Sequence, residues 1–104
     1  SILKAFGLTD FYLLEALQTA AEQQGFSCED AKKLSLATFR GAVALAAQSG
    51  EDFALLRQNV TSKGGTTHEA VETFKERHVA ESIAAGVEAC VERSRELARQ
   101  FEAV

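Results

Sequence analysis

Between Leu34 and Ala47 the only charged residue is Arg40. Leu34, Leu36, Phe39, Val43 and Leu45 point all round a helix axis, and a helix apolar on every side belongs in a core. Ser27 opens this helix, with Asp30 three residues on as a capping partner, and Gly50 ends it after Ser49. A chain committed to so apolar a helix must find other apolar surfaces to pack against it. Gly41, in its middle, costs up to about 1 kcal/mol relative to alanine. Close packing against a second helix explains a glycine there; a hinge is the alternative.

The rest of the chain supplies more helix and no strand signal. A first clear helix is predicted from about Asp10 to Gln24, with Thr9 or Asp10 as its cap and Gly25 as its stop. Gly7 breaks the residues before it. Phe11, Tyr12, Leu13, Leu14, Ala16 and Leu17 cover more than one face, so this helix is expected to be buried on two sides. A short helix from about Glu51 to Asn59 docks through Phe53, Leu55 and Leu56. A fourth, from about Thr67 to Arg77, carries Ala70, Val71 and Phe74 as its buried stripe. The run from Lys75 to His78 reads as a solvated corner. The last helix runs from about Val79 to Glu102. Val79, Ile83, Val87, Cys90, Ser94, Leu97 and Phe101 recur at alternating three- and four-residue steps, which makes a narrow apolar seam. Ala80, Ala84, Ala85 and Gly86 are small enough for close helix approach. The expected fold class is all-α, a bundle of about five helices forming one domain over residues 1–104. Its apolar faces exceed what one small monomer can hide, so a homodimer or higher homo-oligomer is expected.

Composition excludes several functions. The net charge is −4, whereas a protein that binds phosphate backbones needs a basic face, so no nucleic-acid partner is expected. No apolar run reaches the length of a bilayer span and no signal peptide is evident, so no membrane partner is expected. Cys28 and Cys90 are isolated in sequence and suit a reducing cytoplasm as free thiols. His68 and His78 have no partners at metal-ligand spacing, so no metal is expected. The chain has no methionine, which suggests a fragment or a processed start.

One run of small and hydroxyl residues interrupts the helices, Val60-Thr61-Ser62-Lys63-Gly64-Gly65-Thr66-Thr67. Adjacent glycines release the backbone, so that N–H groups can turn toward a ligand. Thr66 or Thr67 can cap the next helix, and Glu69 stands three residues after Thr66, the spacing of a capping box. A glycine loop entering a helix N-terminus gathers free N–H donors at the positive end of the helix dipole, which suits a small anion such as a carboxylate or phosphate. The same letters also spell an ordinary helix–helix connection. A P-loop is excluded, because no Gly-Lys-Ser/Thr follows the required gap.

This run, preceded by Leu56 and followed by Ala70, Val71 and Phe74, resembles the signature of pyrroline-5-carboxylate reductases. The family reads Val-Thr-Ser-Pro-Gly-Gly-Thr-Thr; here Lys63 replaces the proline. From about Phe11 onward the chain is similar to that enzyme's C-terminal helical domain. Before that it departs. The family carries Ser-Gly-Ser-Gly-Pro-Ala-Tyr, and this chain reads Leu3-Lys4-Ala5-Phe6-Gly7-Leu8-Thr9. The resemblance implies helical domains interlocked as a dimer, and a substrate, pyrroline-5-carboxylate or proline, held between the loop and a nicotinamide. It assigns substrate binding to Ser62, Gly64, Gly65, Thr66 and Thr67. Thr67 is also the catalytic residue, facing the ring nitrogen; its alternative reading is a helix cap. Lys63 then reads as a solvated loop charge, and His68 as a surface residue on the first turn. NADPH or NADH would be the cofactor of the full-length enzyme. None is expected to bind this chain, which has no Gly-x-Gly-x-x-Gly and no strand to precede one. The alternative is a free-standing helical interaction module without catalytic activity.

Overall fold

A computed structural model describes residues 2–61 and 64–102, with Phe101 and Glu102 by backbone alone. The described residues form five α-helices and no strand: α1 Ile2–Gln23, α2 Cys28–Ser49, α3 Phe53–Asn59, α4 Thr66–Glu76 and α5 Val79–Glu102. The fold is all-α.

Local chemistry sets most of the boundaries. At the end of α1, Gly25 takes a left-handed φ of 105°. Its N–H donates to Glu22 O at 3.0 Å, and Phe26 N–H donates to Ala21 O at 3.2 Å. This pair of bonds is the Schellman closure that a glycine just past a helix allows. At the start of α2, Asp30 N–H donates to Ser27 Oγ at 3.1 Å, so Ser27 is the cap. Glu29 and Asp30 occupy the first turn, where the helix dipole favours anions. Gly50 closes α2 with a φ of 69°. The corner before α5 turns on His78, a non-glycine residue at φ 56°. Its N–H donates to Lys75 O at 3.1 Å, and its carbonyl accepts from Ser82 N–H at 2.9 Å. One left-handed residue thus ends α4 and starts α5.

The start of α1 departs from expectation. The helix begins at Ile2 and passes through Gly7. Thr9 does not cap it. Its hydroxyl donates to Ala5 O at 2.7 Å, one turn back. Leucine, lysine and alanine are good helix formers, and a single glycine costs about 1 kcal/mol, too little to stop a helix without a second signal. Likewise α3 starts at Phe53, with Asp52 at the cap position.

The chain divides into two compact units, residues 1–13 with 74–104, and residues 14–73. Burial is sparse in both. Among the described residues the buried ones are Ala5, Ala31 and Ser35. Ala31 and Ser35 stand one turn apart on α2, and the Ser35 hydroxyl donates to Ala31 O at 2.8 Å. The fully buried residues of α2 are thus small, while of its large apolar residues Phe39 is half-buried and Leu34, Leu36, Val43 and Leu45 are exposed. Leu34 and Leu36 are each 41% exposed and Val43 is 60% exposed. The expectation that α2 lies in a core is not met by its own chain, and α1 is not covered on two sides either. On α4 the expected stripe is only half-buried at Val71, with Ala70 and Phe74 exposed. Nor do Gly41 and Gly86 mark helix crossings within the chain: a Cβ at either meets nothing within 4 Å. On α5 the seam is half-buried at Val79, Val87, Cys90 and Ser94 but exposed at Ile83 and Leu97; the side chain of Phe101 lies outside the described residues. Beside the seam, Arg93 pairs with Glu96 at 2.9 Å, and Glu92 takes both Arg95 and Arg99 at 3.5 and 3.3 Å.

Candidate functional site

The glycine loop lies between α3 and α4, wholly within residues 14–73. α3 closes tightly. Val60 N–H donates to Arg57 O at 3.3 Å and Thr61 N–H to Gln58 O at 3.0 Å. Thr61 Oγ1 donates to Arg57 O as well, at 2.7 Å. Its hydroxyl thereby ties the entry of the loop to the last turn of α3. The sequence reading passed over this role, although a threonine four residues after Arg57 is placed for it.

On the exit side Gly64 has a φ of +75°, a conformation that glycine adopts at no steric cost. The first helical bond of α4 runs from Glu69 N–H to Gly65 O at 3.3 Å. Gly65 therefore holds the cap position, and Thr66, Thr67 and His68 form the first turn. This corrects the capping box read from Thr66 and Glu69. Both threonines are inside the helix, and glycine is accepted at the cap. The N–H groups of Thr66, Thr67 and His68 are those that an α-helix leaves without an intrahelical partner, at the positive end of the α4 dipole. Gly64, Thr66 and Thr67 are exposed, while Gly65 and His68 are half-buried. His68 is thus less of a surface residue than expected. Ser62 and Lys63 lie outside the described residues. Of the five expected substrate-binding residues, the structure brings Gly64, Gly65, Thr66 and Thr67 together as one backbone turn.

Residues 9–97 match the protein family described as pyrroline-5-carboxylate reductase dimerisation. The chain belongs to that family. Pyrroline-5-carboxylate reductase of Vibrio alginolyticus is 39% identical over 92 residues, which are 88% of this chain and 34% of that protein. A solved pyrroline-5-carboxylate reductase from Coxiella burnetii superposes with a TM-score of 0.82 at 37% identity, over 88% of this chain and 34% of that one. The crystal structure of the Plasmodium falciparum pyrroline carboxylate reductase superposes with a TM-score of 0.84 at 29% identity, over 91% of this chain and 39% of that one; it has NADP bound. The chain spans about a third of the length of the curated relatives it matches.

A dinucleotide of that kind sits where a parallel strand, a glycine-rich turn and a helix N-terminus meet. The described residues of this dimerisation-family chain include no strand, and its glycines include no Gly-x-Gly-x-x-Gly. They do not fit the group. Among the described residues no helix is long and apolar enough to cross a membrane, and Cys28 and Cys90 are free thiols.

Proposed function

We propose that the chain is the dimerising, substrate-loop domain of a pyrroline-5-carboxylate reductase, the NAD(P)H-dependent enzyme that reduces 1-pyrroline-5-carboxylate to L-proline. The match of residues 9–97 to the dimerisation family, with the glycine loop inside it, carries this reading. The chain works as one helical domain and as a homodimer. The nucleotide is held outside this chain, by a separate domain of the full-length enzyme. The chain's own part is to hold the substrate. Its carboxylate is bound by the loop N–H groups at Gly64, Gly65, Thr66 and Thr67, with a hydroxyl from Ser62. Charge-assisted hydrogen bonds of this kind are short and directional. Two or three of them fix a five-membered ring, which is what brings the imine carbon to a set angle for reduction. Thr67, on the exposed first turn of α4, orients the ring nitrogen through its hydroxyl. The left-handed Gly64 and the N–H groups of the first turn of α4 support the cradle.

In the full-length enzyme, Gly65→Ala is expected to raise KM for pyrroline-5-carboxylate and leave NADPH binding unchanged. Thr67→Ala is expected to lower turnover while the dimer stays intact. A Thr67→Ala enzyme with unchanged rate and a lower Tm would make the threonine a helix-stabilising residue and remove it from the site. The isolated chain should bind proline at roughly millimolar affinity or weaker, since half of the pocket is missing and the ligand has few atoms. Amide shifts on titration should cluster at Gly64 to Thr67.

A second reading has one observation in its favour. The stretch Leu3 to Thr9 replaces the family's Ser-Gly-Ser-Gly-Pro-Ala-Tyr, and it forms the first turns of α1. A free-standing helical dimerisation module would tolerate that change more readily than a reductase. A parent reading frame without a nucleotide-binding domain would decide for the module.

A further inference from the structure

Helix α3 ends at Asn59. Were it to run on, the amide of Thr61 would donate to Arg57 O, four residues back. Instead Thr61 N–H donates to Gln58 O at 3.0 Å, and Arg57 O accepts from Thr61 Oγ1 at 2.7 Å. Val60 N–H also donates to Arg57 O, at 3.3 Å. Both acceptor positions of that carbonyl are thus filled, one of them by a side chain.

Other threonines of the chain make the same bond to less effect. The hydroxyls of Thr9, Thr38 and Thr73 donate one turn back to Ala5 O, Leu34 O and Glu69 O. All three lie inside helices, where the backbone ladder already fixes the chain. Thr61 lies past the end of its helix, and its hydroxyl stands in for the ladder bond that its amide does not make. The two ends of the glycine loop are therefore held differently. At the exit the backbone does it, with Gly65 O accepting from Glu69 N–H at 3.3 Å. At the entry a side-chain hydroxyl does it. Only Ser62 and Lys63 separate Thr61 from Gly64 in the sequence.

We infer that Thr61 is a positioning residue for the substrate: its hydroxyl, held on Arg57 O, sets the direction in which the loop leaves α3, and so the aim of the N–H groups at Gly64 to Thr67. The inference rests on the carboxylate cradle proposed above. Thr61 acts through the backbone and does not itself contact substrate. A loop ordered before its ligand arrives loses less freedom on binding, so the ordering appears as affinity. The bond is exposed, and a hydrogen bond shared with water contributes little to folding. Its effect on substrate binding is therefore separable from any effect on stability.

Steady-state kinetics of the full-length enzyme test it. Thr61→Val keeps the branched shape and removes the donor. It should raise KM for pyrroline-5-carboxylate about threefold or more, with KM for NADPH unchanged. Thr61→Ser keeps the donor and should stay within about twofold of the native KM. A threonine that only stabilised the fold would lower the Tm without moving KM for one substrate alone. A Thr61→Val enzyme with native KM overturns the inference. So does a Thr61→Ser enzyme as impaired as Thr61→Val, because the methyl group rather than the hydroxyl would then matter. Gly65→Ala, measured alongside, tells the two readings apart. If it raises KM and Thr61→Val does not, the role of Thr61 falls and the cradle stands. If neither raises KM, both fall.

Discussion

Two residues off the helical region of the backbone are under opposite pressures. Gly64 sits at φ +75° with nothing within 4 Å of a would-be Cβ. Space is therefore not what requires glycine there; the dihedral is. An L-residue in the left-handed region costs roughly 1–2 kcal/mol. Gly64→Ala is expected to lower stability by about 1 kcal/mol in chemical denaturation and to weaken proline binding through the altered loop. Asparagine, which tolerates this region, should cost less. At the other corner, His78 already occupies the left-handed region at φ 56°. Its backbone bonds to Lys75 and Ser82 do not depend on its side chain, and its side chain makes an exposed pairing with Glu81 at 3.7 Å, of a kind that contributes little. His78→Gly should therefore raise stability, by up to about 1 kcal/mol. Unchanged stability would mean that the unfolded-state entropy of the new glycine cancels the relief.

At the scale of the helices, the side chains that cap and close were the legible ones. Ser27, Gly25 and Gly50 act as their types and spacing indicate, because capping is local chemistry between residues a few positions apart. Ser27→Ala should cost about 1 kcal/mol, read as a lower midpoint of thermal unfolding. The start of α1 was not legible, because a lone glycine and a threonine resemble a stop signal. Yet the helix formers around Gly7 outweigh it, and Thr9 bonds back to Ala5 instead. The α4 cap was misplaced by one residue for a similar reason. Thr66 has the better capping side chain, but the first bond of α4 is accepted by Gly65 O, so Thr66 falls inside the helix. What periodicity could not give was the identity of the covering surface. It marks α2 as apolar all round, and the chain fully buries only Ala31 and Ser35 on it and half-buries Phe39. Gly41 and Gly86 face open space in the chain, so a crossing at either involves another molecule. Gly41→Leu and Gly86→Leu should leave the helix content measured by circular dichroism intact. They should cost about 1–3 kcal/mol of association where a second copy packs tightly. A dimer unaffected by both would place the two glycines in solvent.

Across the whole molecule, large apolar side chains stand open to solvent: Leu3 is 79% exposed, Phe11 72%, Tyr12 69% and Phe53 80%. Exposed apolar residues in such number mark an interaction surface. A second copy is therefore expected to complete the core rather than decorate it, so that folding and association are one event. That makes stability depend on protein concentration, because only the assembled state is favoured by mass action. The Tm of the isolated chain should rise as its concentration is raised from about one to about a hundred micromolar, with a single cooperative transition. Sedimentation equilibrium over the same range should give the mass of two chains. A Tm independent of concentration, together with a monomer mass, would assign the exposed surface to another domain of the full-length enzyme.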